Sequence, residues 1–178
     1  GVEIVINGDV NGGTITINGG TGSDTITIDS NGGTLSDGGT VENLLNNVTI
    51  NAGGGSDSVQ LDDSGSADAD TIDVNLGQSQ AIAGLNETYT INYTDLENLE
   101  IFAGGSSDTF NVQLTPATAF TVHGADPVLP ASPGDQLNML TSDGMLDLPF
   151  VFAATSDGSL FDTPDQPITW TSIESFTL

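Results

Sequence analysis

The stretch NGGTGSDTITID, Asn18–Asp29, sets three glycines, one aspartate between small hydroxyl residues, and a threonine–isoleucine alternation in a row. Glycine lets a chain bend sharply, and Asp and Ser hydrogen-bond their own backbone in turns. Alternation of β-branched residues with period two is the pattern of a half-buried strand. The phrase therefore reads as turn, carboxylate, strand. It returns as AGGGSDSVQL at 52–61 and as AGGSSDTFNV at 103–112, so the chain builds one unit several times.

Outward from that phrase the same alternation continues. It appears as VEIVI at 2–6, TITI at 14–17, VTI at 48–50, TIDVNL at 71–76, YTINY at 89–93, LEIF at 99–102, FTV at 120–122, ITW at 168–170 and SFTL at 175–178. Helical periodicity is nearly absent, and ENLLNN at 42–47 reads as a turn leading into a strand. The expected fold class is all-β, a parallel β-solenoid of β-helix or β-roll type with irregular C-terminal rungs and loops. A longer repeat supports it: INYTDLENLEI at 91–101 matches ITWTSIESFTL at 168–178, each with an aromatic, a Thr, an apolar-Glu pair and an alternating strand.

Residues 1–114 are expected to form the repetitive core with Gly/Asp loops, and 115–178 a less regular continuation. The segment 115–135 carries four prolines, GDQLNML at 134–140 repeats the phrase more weakly, and the apolar run at 145–154 reads either as a thicker rung or as a lid. The opening GVEIVING reads as a mature or excised segment, and the last strand has no polar cap. Bare strand ends invite pairing. A homo-oligomer or filament through those ends, or a tandem module of a longer chain, is the expectation.

Twenty-five Asp and Glu stand against no Lys or Arg in 178 residues, a formal charge of -25. Nucleic acid and anionic membrane surfaces demand basic groups and are excluded as partners; divalent cations are favoured. Two carboxylates about 5 Å apart repel by roughly 3 kcal/mol at an effective dielectric near 20. Such repulsion needs solvent, salt or metal to relieve it. There is no cysteine for a disulfide or thiolate site, and no apolar run of about 20 residues that would enter a membrane.

GGTGSDTIT at 19–27 resembles the Gly-Gly-x-Gly-x-Asp-x-apolar-x nonapeptide of the calcium-binding β-roll repeats of secreted RTX-type bacterial proteins. The alternation of Gly-rich loop, Asp-Thr, strand and apolar-Glu turn is also similar to the tandem β-solenoid segments of large bacterial surface exoproteins. The resemblance implies a parallel stack in which glycine-loop carbonyls and a loop aspartate bind Ca2+ between turns, at a secreted or cell-surface location. Calcium takes six to eight oxygen ligands in tolerant geometry, which suits such loops. Asp24 with Gly19, Gly20 and Gly22 fits the pattern best. Asp57 with Gly53 and Gly55 departs from it once, and Asp108 with Gly104 twice; Asp70 and Asp135 keep only its strand half. The spacings of 33 and 51 residues between Asp24, Asp57 and Asp108 differ from the nine of uninterrupted arrays, and ordinary glycine corners are the alternative reading.

An enzyme is not expected. The single histidine, His123, reads as a turn residue, no nucleophile elbow is present, and adjacent Asp62 and Asp63 would point to opposite faces of a strand. The expected role is a structural or adhesive, calcium-stabilised extracellular module. The alternative is a carbohydrate-binding or carbohydrate-cleaving β-helix, which calls for an aromatic-lined groove, whereas Tyr89, Tyr93, Phe102 and Phe110 fall at positions expected to face the core. Sequons at Asn47, Asn86 and Asn92 allow glycans on an exported chain.

Overall fold

The computed structural model describes residues 3–6, 13–30, 35–41, 47–75, 81–84, 90–125, 134–140, 157–160, 167–173 and 175–177. The segment 42–46, Tyr89, the prolines at 127–133 and the apolar run at 145–154 lie outside them. Among the described residues there is no helix, and the strands form two sheets.

The seven-stranded sheet holds β1 (Glu3–Ile6), β3 (Thr25–Ile28), β5 (Ser58–Asp62), β9 (Asn98–Phe102), β11 (Ala119–His123), β14 (Ile168–Thr171) and β13 (Gly158–Leu160), in that spatial order. The eight-stranded sheet runs β15 (Ser175–Thr177), β12 (Gln136–Leu140), β10 (Thr109–Gln113), β6 (Thr71–Val74), β7 (Ala81–Gly84), β8 (Ile91–Thr94), β4 (Val48–Gly54) and β2 (Ile15–Thr21). Successive strands alternate between the sheets from β2 to β6 and again from β8 to β12, so a turn unit links the two at each step. Pairing is parallel except at β7, which is antiparallel to β6 and β8, and at β13, antiparallel to β14. Those two short strands, AIAG and GSL, lack the alternation that marks the others, so the sequence pattern does not signal them.

Register explains the core. In the seven-stranded sheet Ile26, Val59, Leu99, Phe120 and Ile168 are consecutive partners, and Ile28, Leu61, Ile101, Val122 and Trp170 form a second column. In the other sheet Ile17, Ile50 and Tyr93 align, as do Val74, Val112 and Met139. All are buried, the inward half of the alternation read from the sequence. Each such side chain removed from water contributes about 1.5–3 kcal/mol. Tyr93 and Phe110 lie in this core, but Phe102 does not: it is half-buried, its ring stacked on His123 with centroids 4.3 Å apart and planes 11° off parallel.

The outward half forms polar columns. Asn51 donates to Asn18 Oδ1 (2.8 Å), and Asn138 to Asn111 and Asn111 to Asp73 (2.7 Å each). The long repeat has an unexpected outcome: its first copy places β8 in the eight-stranded sheet and β9 in the other, while its second copy places β14 and β15 the opposite way round. The turns nonetheless match. Asp95 (φ 55°) and Ser172 (φ 54°) share the left-handed conformation, and the following Leu96 and Ile173 are both buried. One turn unit thus serves both crossings between the sheets.

Candidate functional site

Each aspartate of the repeated phrase sits one residue ahead of a strand, where the chain enters a sheet. Strand register therefore lines these carboxylates up, and they form two separate lines. At the entry to the seven-stranded sheet the Asp24 N–H donates to Asp57 Oδ1 (2.7 Å), and the Asp57 N–H donates to Glu97 Oε2 (2.8 Å). At the entry to the eight-stranded sheet the Asp70 N–H donates to Asp108 Oδ1, and the Asp108 N–H to Asp135 Oδ1, both at 2.8 Å. Asp24, Asp57, Asp70, Asp108 and Asp135 are all buried, between 0% and 3% exposed. The spacing of 51 residues between Asp57 and Asp108 has its explanation here: the two belong to different lines. Within a line the steps are 33 and 40 residues, or 38 and 27.

The second carboxylate oxygens of Asp57 and Asp108, both Oδ2, are buried and accept no hydrogen bond from the described residues. Burial pushes the Asp108 carboxyl up to about 6, the neighbouring Asp70 carboxylate adds to the rise, and the hydrogen bond from the Asp70 backbone opposes it.

The loop glycines carry the stacking of these corners. Gly53 has φ +102°, and a Cβ there would stand 2.1 Å from the Gly20 carbonyl oxygen; one on Gly55 would meet the Gly22 carbonyl oxygen at the same distance. The Gly22 N–H donates to the Gly54 carbonyl at 2.6 Å. A Cβ on Gly19 would lie 2.8 Å from Asp24 Oδ2, and one on Gly104 would lie 2.2 Å from the Ser66 carbonyl oxygen.

A further acidic group forms at the exit of the strands. Carboxylate oxygens of Asp29, Asp37 and Asp62 lie within 4.8 Å of one another, with Asp29 and Asp62 buried and Asp37 exposed. Two oxygens bound to one calcium at about 2.3–2.6 Å each lie no more than about 5 Å apart, so this trio has the span of a divalent-cation site. The Ser36 and Ser64 amides donate to Asp62 Oδ2 and Oδ1 (2.8 and 2.9 Å), which orients that carboxylate. Its neighbour Asp63 accepts from the Val41 amide at 3.0 Å. The nonapeptide pattern picks out only aspartates that precede strands, so it does not point to this trio. The signal was legible: DTITID at 24–29 and DSVQLD at 57–62 carry an aspartate at both ends of the strand.

His123 is the last residue of β11, not a turn residue. Its Nε2 meets Glu100 Oε1 at 3.0 Å and its Nδ1 meets Thr171 Oγ1 at 2.8 Å. Glu100 Oε2 accepts from Gln60 Nε2 (3.0 Å), and Gln60 Oε1 from Thr27 (3.3 Å). These hydrogen bonds hold the Glu100 carboxyl below the usual carboxylate range, the histidine contributing most. A hydroxyl, an imidazole and a carboxylate in line have the parts of a proton relay. Yet the amides beside Thr171 are already used: the Ser172 N–H donates to Asp157 and the Gly124 N–H to the Thr171 carbonyl. The outer face between β5, β9 and β11 also carries a groove of about 250 Å³ lined by Ser58, Gln60, Asn98, Glu100, Ala119 and Thr121.

The fold and these sites define an all-β protein of two mostly parallel sheets crossed by lines of stacked carboxylates. Comparison of the chain with family models, with curated proteins and with solved structures finds no match. No helix among the described residues is long and apolar enough to cross a membrane.

Proposed function

We propose that this chain is a calcium-stabilised β-solenoid module of a secreted or surface-exposed protein, structural or adhesive in role, that joins others end to end or in tandem. The observation that carries the reading is the layer-on-layer register of two parallel sheets, crossed by lines of buried carboxylates in a chain without Lys or Arg. Backbone ladders at about 4.8 Å spacing make such a stack stiff along its length. The Asp29, Asp37 and Asp62 group is where a divalent ion fits by span and charge, and relief of repulsion there ties the loop at 35–41 to the strand ends.

Thermal melting with calcium or with EDTA tests the reading. Calcium at about a hundred times its dissociation constant contributes roughly 2.7 kcal/mol, or about 5–10 °C for a chain of this size. Asp37→Asn, a change at the exposed member, should remove that calcium-dependent rise, and by lowering the repulsion within the trio should leave the EDTA midpoint no lower than the parent's. Equal melting in calcium and in EDTA would refute the metal-held stack. Electron microscopy with and without calcium reads assembly separately.

A further inference from the structure

We propose that the groove on the outer face of the seven-stranded sheet binds a neutral saccharide. Strands β5, β9 and β11 are direct neighbours in register, so Ser58, Asn98 and Ala119 form one outward row and Gln60, Glu100 and Thr121 the next. Ala119 is the short member of its row, and the space it leaves contributes to the groove of about 250 Å³. This is smaller than the roughly 300–1,000 Å³ of sites that enclose drug-sized molecules, and suits about one sugar ring.

The polar groups around it are held in place. Gln60 Nε2 donates to Glu100 Oε2 (3.0 Å), Asn98 Nδ2 donates to the Asp57 carbonyl (3.2 Å), and Thr121 and Thr169 share a hydrogen bond of 2.9 Å. Side chains fixed on a rigid sheet lose little freedom when a ligand arrives. Capacity remains after those bonds: the second Gln60 N–H, the Asn98 Oδ1, the Ser58 hydroxyl and a further lone pair on each Glu100 oxygen. Donors and acceptors so mixed match vicinal hydroxyls, each of which both gives and takes a hydrogen bond.

Charge selects among polar ligands. The chain has no Lys or Arg and a formal charge of -25, which repels uronates, sulfates and phosphates. The one carboxylate in the groove, Glu100, is held in place by His123 at 3.0 Å and by Gln60, which fixes the directions in which its oxygens can accept. At the next outward position along β9 and β11 the rings of Phe102 and His123 stack on each other and close that end of the groove's polar row. A floor of mixed donors and acceptors suits a pyranose, which carries hydroxyls around its rim.

Isothermal titration calorimetry of the full chain with cellohexaose, maltohexaose and laminarihexaose, and with hexagalacturonate as the anionic counterpart, tests this. At least one neutral hexasaccharide should bind with a dissociation constant of about 1 mM or tighter, and hexagalacturonate about tenfold or more weaker. Ala119→Leu, which fills the groove, should weaken binding about tenfold or more with the melting midpoint unchanged. Should that variant melt early, Gln60→Ala, a change at a half-buried surface position, gives the same readout. No heat from any neutral hexasaccharide, binding untouched by both variants, or equal binding of hexagalacturonate would overturn the assignment. The inference stands apart from the calcium-held module: one is read as binding heat, the other as a melting midpoint.

Discussion

Asp108 is a carboxyl with 1% exposure, a carboxylate on either side in its line, and no Lys or Arg anywhere in the sequence to answer it. Its folded-state value of about 6 lies above the ordinary 3.8, so the folded chain holds this proton more tightly than the unfolded one. The stabilisation is complete below about pH 4 and is lost as pH rises through 6. Glu100 works in the other direction: its value is lowered, so its contribution is present above the ordinary 4.5 and fades as pH falls below it. The melting midpoint should therefore be higher near pH 5 than at pH 8. Asp108→Asn keeps an acceptor for the Asp70 amide, removes the charge and gives Asp70 a donor. It should raise the midpoint at pH 8 and flatten the slope between pH 5 and 8, as calorimetry at the two values would read. A variant less stable than the parent at pH 8 would sink this account.

At the scale of the elements, the glycine corners are selective about which glycine is needed. Gly53 faces the Gly20 carbonyl at 2.1 Å from its virtual Cβ and has positive φ, whereas Cβ atoms at Gly54 and Gly105 would meet nothing within 4 Å. Gly53→Ala should cost about 2–4 kcal/mol, and Gly54→Ala and Gly105→Ala less than about 1 kcal/mol, by urea unfolding. Similar losses at all three would mean the close stacking of corners is not what the glycines provide. Much of this was legible in the sequence, because β-branched alternation marks which residue of each pair turns inward, as Ile26 and Ile28 do. What was not legible follows from register. Whether Asp57 and Asp108 share a line depends on which sheet each strand joins, and both follow the same Ala-Gly-Gly-x-Ser-Asp lead into an alternating strand. The groove was hidden for the same reason: Ser58, Asn98 and Ala119 are far apart in the chain and meet only through pairing.

For the whole molecule, a net charge of -25 without internal compensation makes stability a function of salt. Raising NaCl from about 20 to 500 mM shortens the screening length from roughly 20 Å to about 4 Å and should raise the midpoint. Calcium at matched ionic strength should raise it further if the acidic trio binds the ion. The antiparallel β7 has another effect at this scale. Parallel pairs such as β2 with β4 or β10 with β12 join strands separated by a connecting crossover, and closing such loops is slow. Around β7 alone in the eight-stranded sheet, strands adjacent in the chain are also adjacent in space, with Val74, Ile82 and Ile91 already in mutual contact register. Local pairing of this kind costs the least loop closure, so this mid-chain meander is expected to form early, with growth toward both termini. Substitutions at Ile82 should therefore slow refolding, whereas Ile17 or Met139 near the extremities should chiefly hasten unfolding.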